Sequence, residues 1–199
     1  TNVWERYRGN GIVIGIIDGG MQTDHPDLST NVVTGLGYDY IDGDPDPNPN
    51  GPDDNHGTCV AGVAAASGNN NLGVTGAGYN SGLVGLRLIG GFTTDADAAS
   101  AFLYENQVIG IKNNSWGPAL DYIFLGGPSP VEQTALRQSV VSGRGGRGVI
   151  YTWASGNSRR EFGNANFDGY SNSRYTIAVT GTDDPGGIVS YATPGSCVA

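Results

Sequence analysis

The sequence predicts a three-layer α/β fold, in which a mostly parallel central sheet carries helices on both faces. Three observations carry this reading. Short apolar runs rich in β-branched residues recur along the chain, continuous enough to be buried on both sides and too short to be helices. Segments with helical patterning and Ala-rich composition lie between them. One helix start is marked unmistakably, with Ser129 as N-cap, Pro130 in the first helical position and Glu132 completing a capping box.

Taken in order, the first strand is residues 11–17 within "GIVIGIIDGG", stopping at Asp18 and two glycines. The stretch 39–54, "DYIDGDPDPNPNGPDD", reads as non-core, because alternating Pro and Asp forms neither a helix nor a central strand. An Ala-rich helix is predicted over 57–67 and a strand over 82–88. A helix over 95–106 begins at Thr94 and is followed by a strand over 108–114. The helix over 130–142 precedes strands over 147–154 and 175–180. No internal repeat or second domain interrupts this order, so residues 1–199 read as one domain.

Composition narrows the function classes. At 199 residues and 38% hydrophobic content the chain can bury a substantial core. Its 34 glycines are scattered between apolar runs without a fibrous period, and so read as turns and close backbone approaches. A net charge of -9, from 19 acids against 10 bases, argues against nucleic acid as a partner and allows cationic substrates or bound cations. No run reaches the roughly 18 apolar residues of a membrane span, and the N-terminus has no signal-peptide profile. Cys59 and Cys197 are too few for a disulfide scaffold. Cys59 reads as a small buried core residue.

Chemistry in an open parallel sheet gathers beyond the carboxyl ends of the strands. Asp18 ends one strand, Ser115 follows another and Asn157 a third, while His56 opens the helix over 57–67. Each has a plain reading alone: a turn-forming Asp, a capping His, an Asn tolerating a left-handed turn. Together, in this order and at these ends, they suit acyl transfer by a serine nucleophile. The Asp orients an imidazole that moves the proton, and the Asn amide stabilises the oxyanion.

The segments "IIDGG", "HGTCVAG", "NNSWGP" and "ASGN" resemble those of subtilisin-like serine proteases. "SWGPALDYIFLGGPSP" and "NANFDGYSNSRYTIAV" are similar to the kexin and furin branch of that family. The resemblance implies a subtilisin-like fold and serine endopeptidase activity, with Asp18 and His56 in the triad and Asn157 in the oxyanion hole. It places Ser115, Trp116 and Gly117 on the strand that pairs with substrate. The family's Gly-Thr-Ser segment does not occur after Asn157, and Ser190 and Ser196 sit in a context like the one preceding it. The chain is therefore expected to stop before its nucleophile and to be inactive as it stands.

The resemblance further implies peptide or protein substrates with basic residues, a propeptide partner, and a secreted or cell-surface setting. Asp168 would lie at the base of the S1 pocket, Asp53 near S2 and Asp97 near S4. It also implies Ca²⁺, held by Asp39, Asp44 and Asp46 in the acidic loop and, at a second site, by Asp27, Asn70 and the carbonyls of Gly68, Leu72 and Val74. Leu120, Thr193 and Gly19 stand where the branch has acids, which argues against a third calcium site and against strict dibasic selectivity. Two other readings compete: a calcium-binding module lacking the serine, and an actin-like nucleotide-binding fold based on "IGIIDGG".

Overall fold

The computed structural model describes residues 3–51, 54–117 and 124–198. Asp53 and Leu120 lie outside the described residues. Six strands form one sheet: β1 (Val13–Asp18), β2 (Tyr38–Asp39), β3 (Gly82–Arg87), β4 (Ile111–Asn114), β5 (Ile150–Ala154) and β6 (Ile177–Val179). Every pairing is parallel, in the order β2-β3-β1-β4-β5-β6. The chain builds one side of β1 first and then crosses to the other, so the loops beyond Asp18 diverge and leave a rim there.

Helix α1 (His56–Ala65) packs on one face of the sheet; α2 (Asp95–Leu103) and α3 (Pro130–Gly146) pack on the other. This is the predicted three-layer architecture. Strand β1 shows why its sequence carries no polar residue before Asp18: Ile14 and Ile16 join Ala61 and Ala65 beneath α1, whereas Ile17 joins Leu86, Phe102 and Trp153 beneath the other two helices. Each fully buried Ile, Leu or Phe among them contributes about 1.5–3 kcal/mol of transfer free energy.

The element ends differ from expectation for local reasons. Helix α1 stops at Ala65, and α2 stops at Leu103, two residues before the left-handed Glu105 (φ 44°). Residues 108 and 109 close a turn onto the Glu105 carbonyl instead of extending β4. Gly148, at φ 80°, bonds back to Gly143, so β5 starts only at Ile150. Strand β2 was not predicted, and it overlaps the stretch read as non-core. Its Asp39 is in the sheet and buried.

Two buried cations lock this frame. Lys112 of β4 is fully buried, and its Nζ donates to the carbonyls of Ala101 (3.1 Å), Phe102 (2.6 Å) and Tyr104 (2.8 Å) and to Asn106 Oδ1 (3.1 Å). Helix α2 has no basic residue in its own last turn, so Lys112 satisfies its orphan carbonyls from a neighbouring strand. Arg87, at the end of β3, donates from Nε to the Gly19 carbonyl (3.1 Å) and pairs through NH1 with Asp39 (2.5 Å) and Asp42 (3.1 Å).

Candidate active site

Asp18 is the last residue of β1 and is 1% exposed. Its Oδ1 accepts from the Gly19 amide at 2.7 Å and lies 2.8 Å from His56 Nδ1; Oδ2 lies 3.0 Å from the same nitrogen. The imidazole belongs to the first residue of α1 and its side chain is 61% exposed. With Nδ1 facing the carboxylate, Nε2 is turned away from it and is the nitrogen left to exchange a proton with substrate. Burial pushes the Asp18 carboxyl above its ordinary value, His56 and the Gly19 amide pull it back, and the nearby charge of Asp54 adds to the rise.

A glycine makes this approach feasible. A Cβ on Gly57 would collide with the Gly20 carbonyl oxygen and stand 2.8 Å from Asp18 Cβ, so α1 can bring His56 onto β1 only with no side chain at its second residue. Thr58 contributes too, accepting from the Gln22 amide at 3.0 Å and tying the helix to the loop after β1. Neither residue was assigned a role from the sequence. A glycine in the first turn, directly after a candidate catalytic His, was the available signal.

Asn157 is exposed at the end of the loop after β5 and lines a cleft of about 650 Å³ together with Ser115, Thr152, Gly156 and Val63 of α1. Gly156, at φ 95°, makes the turn that presents it. Buried Thr193 holds the loop from behind: its amide donates to the Gly156 carbonyl (3.0 Å) and its Oγ1 accepts from the Ser158 amide (2.8 Å). Trp116 donates from Nε1 to the Ile17 carbonyl at 3.0 Å and packs edge-on against Trp153, with ring centroids 4.6 Å apart. Ser115, Trp116 and Gly117 are half-buried and follow β4 outside any strand.

Residues 9–199 match the subtilase family. The chain is a subtilase. It is 40% identical over 193 residues to Furin-1 of Xenopus laevis, covering 95% of this chain and 25% of that protein. Against furin of Homo sapiens it is 40% identical over 189 residues, covering 94% and 24%. Against human proprotein convertase subtilisin/kexin type 4 it is 38% identical over 187 residues, covering 92% and 25%. The subtilase chain thus spans about a quarter of the length of these relatives. It also superimposes on the serine protease of Aeromonas sobria solved with its chaperone, at TM-score 0.83 and 24% identity, covering 96% of this chain and 35% of that one. A cold-adapted subtilisin-like serine proteinase gives TM-score 0.71 and 26% identity, covering 97% and 63%.

The acids assigned to substrate meet different fates in this subtilase. Asp168 is fully buried: its carboxylate accepts from the Tyr170 amide (2.9 Å), the Ser171 amide (3.2 Å) and the Ser171 hydroxyl. Asp97 is the third residue of α2 and closes a capping box, with Oδ2 accepting from Thr94 N (2.8 Å) and Oγ1 (2.7 Å). Cys59, expected in the core, is exposed one turn beyond His56. A helix as apolar as α1 does not reveal from its sequence which of its faces is covered.

Among the described residues no three His, Cys, Asp or Glu side chains come together to hold a metal. In the acidic loop the Asp39 carboxylate faces Arg87, because a buried guanidinium needs a countercharge. Asp44 and Asp46 are exposed and accept from the amides of Asp46 (2.8 Å) and Asn48 (3.1 Å). The other candidate group is different in kind. Buried Asp27 receives Asn70 Nδ2 at 2.6 Å and the Val74 amide at 2.8 Å, bonds that hold its carboxyl below the ordinary value. Asn69, Asn71 and Gly73 all have positive φ there (62°, 58° and 43°), which winds the loop around Asp27.

Proposed function

We propose that this subtilase is the catalytic domain of a kexin-like serine endopeptidase in which His56 is the general base and acid, Asp18 orients it, and Asn157 donates to the oxyanion. One observation carries this: the 2.8 Å contact between His56 Nδ1 and a carboxylate buried at the end of β1. In the reaction Nε2 takes the proton of a serine hydroxyl as the oxygen attacks the scissile carbonyl, and returns it to the leaving amine. The serine of the family's Gly-Thr-Ser segment is the expected nucleophile. Asp18 stabilises the imidazolium that forms between these steps, and its low exposure strengthens the interaction. Residues 115–117 receive the substrate backbone beside the cleft that Asn157 lines.

The substrate is a peptide with a basic residue before the cut, and Asp168, buried and bonded to three donors, favours it through the field of its charge and not by direct contact. The setting is secreted or cell-surface, by likeness to the family, and a propeptide is the expected partner. No helix among the described residues is long and apolar enough to cross a membrane. Calcium would be held by Asp27, by the carbonyls of Gly68, Leu72 and Val74 and, with its side-chain amide turned so that the oxygen replaces the Nδ2 that now bonds Asp27, by Asn70, a hard-oxygen donor set around one buried carboxylate. When bound it supplies no chemistry to the reaction; it pins the loop that follows α1. The group Asp39, Asp44 and Asp46 does not fit, since Arg87 already neutralises its buried member.

Fluorogenic peptides varied at P1 and assayed with the full-length protein test the substrate reading. Arg and Lys are expected to be preferred strongly over Leu and Ala, with Asp168→Asn eroding the preference. The same change should lower Tm, because three donors aim at that carboxylate and the amide nitrogen cannot accept from them. An apolar P1 preference in the unmutated enzyme contradicts the reading.

A further inference from the structure

The ten Lys and Arg residues are scattered along the chain, and at one place only do two adjoin, Arg159 and Arg160. The pair stands two and three residues after Asn157. Both residues are exposed, and among the described residues neither guanidinium has an ion pair or a hydrogen bond. Residues 158–163 close a turn of their own: the amides of Glu161 (3.2 Å) and Gly163 (2.8 Å) donate to the Ser158 carbonyl, and that of Phe162 to the Arg159 carbonyl (3.2 Å). Phe162 is left-handed there, at φ 58°, a costly conformation for an aromatic residue, and it is 94% exposed.

We propose that the peptide bond between Arg160 and Glu161 is a self-cleavage site, cut by a second copy of the enzyme, and that the cut inactivates the copy that receives it. The proposal rests on the endopeptidase reading and its basic preference. Three observations support it. The first is chemical: Arg160 supplies a basic residue before the cut, Arg159 adds a second cation, and the molecule that would receive them carries a net charge of -9. The second is access. The turn anchors no apolar side chain in the core, so opening it into the extended form that a cleft receives breaks three exposed backbone hydrogen bonds and releases the left-handed Phe162.

The third is reach. An oxyanion donor must lie about 2.7–3.1 Å from the reacting oxygen. In the extended loop Asn157 is three residues before the Arg160 carbonyl, about 10 Å of chain. Asn157 therefore cannot serve a bond in its own loop, and the cut is made between molecules. In the hydrolysis the Arg160 carbonyl carbon parts from the Glu161 nitrogen; the oxygen of water stays on Arg160 as a carboxylate, and Glu161 keeps its nitrogen as an ammonium. Two consequences reach Asn157. After the cut its loop is held on that side only by the Ser158 amide on Thr193 Oγ1 (2.8 Å) and the Arg159 amide on the Tyr191 carbonyl (3.2 Å). The new carboxylate also places a negative charge three residues from the group that must stabilise another.

Full-length enzyme incubated at several concentrations tests this, followed by intact-mass analysis and by hydrolysis of an Arg-P1 peptide. Fragments beginning at Glu161 are expected to accumulate as activity falls, faster per molecule at higher concentration. A His56→Ala copy should stay whole alone and be cut at the same bond once the parent is added. Arg160→Gln should start within about twofold of the parent's peptide activity and keep it at least about tenfold longer, because a neutral side chain forfeits the P1 preference. Four results overturn the proposal and leave the endopeptidase standing: no cut at Arg160 in an enzyme that hydrolyses the peptide, a rate per molecule that ignores concentration, cut enzyme as active as whole, or Arg160→Gln fading as fast as the parent. Absence of His56-dependent hydrolysis of the peptide overturns the endopeptidase reading itself.

Discussion

His56 and Asp18 share a 2.8 Å contact across a steep difference in exposure, 61% for the imidazole and 1% for the carboxylate. The acid is held out of water so that its charge acts on the ring at low dielectric, and the ring stays in reach of a substrate. Holding a carboxylate there costs stability.

That cost has a definite sign. Burial raises the folded-state value of Asp18 above the ordinary 3.8. Between these values the folded chain holds a proton that the unfolded chain has lost, so stability falls as pH rises through the window and stays reduced above it. Asp18→Asn carries no such cost. It is expected to be at least as stable as the parent at neutral pH by thermal denaturation, to lose that advantage on acidification below about 4, and to reduce kcat by about 10⁴ in the full-length enzyme. A variant less stable at neutral pH would show that the hydrogen bonds to Asp18 outweigh its burial.

Lys112 makes the opposite kind of contribution. Replacing it with Met leaves the carbonyls of Ala101, Phe102 and Tyr104 without their donor in a dry interior, and a loss of about 2–4 kcal/mol is expected from denaturant titration. Burial also pushes its ammonium down to about 7. Between that value and the ordinary 10.5 the unfolded chain binds a proton that the folded chain does not, so the parent gains stability with rising pH across this window. The difference in Tm between parent and Lys112→Met should therefore widen from about pH 7 to pH 9. A difference that is flat with pH would place the charge of Lys112 outside the folding balance.

Calcium binding predicts a Tm that rises with added Ca²⁺, by about 2.7 kcal/mol of stabilisation at a hundredfold excess over Kd. Asp27→Ala should abolish that increment, whereas Asp44→Ala and Asp46→Ala should preserve it. Loss of the increment in the acidic-loop variants alone would move the ion to that loop.

Sequence reading located the layers, because a strand buried on both faces is continuously apolar, and it located Asp18 and His56, because a polar residue at such an end stands out. It failed where the determining contact was distant in sequence or too small to show a period. Strand β2 is two residues long, below any periodic signal. Arg87 finds Asp39 across 48 positions, so Asp39 looked free for a metal. Asp97 also caps the helix begun by Thr94, a local role that the three-residue spacing allows beside the one the resemblance implies. Gly57 required the packing of α1 on β1 before its glycine had a reason.

The central claim is that His56 moves the proton in a serine-protease reaction organised by Asp18. It is tested most directly by kcat for hydrolysis of an Arg-P1 fluorogenic peptide by the full-length enzyme and its His56→Ala variant. The account predicts a fall of about 10⁴ to 10⁶ in kcat, with the variant still folded by thermal denaturation. A folded His56→Ala enzyme that turns over within about tenfold of the parent would contradict it.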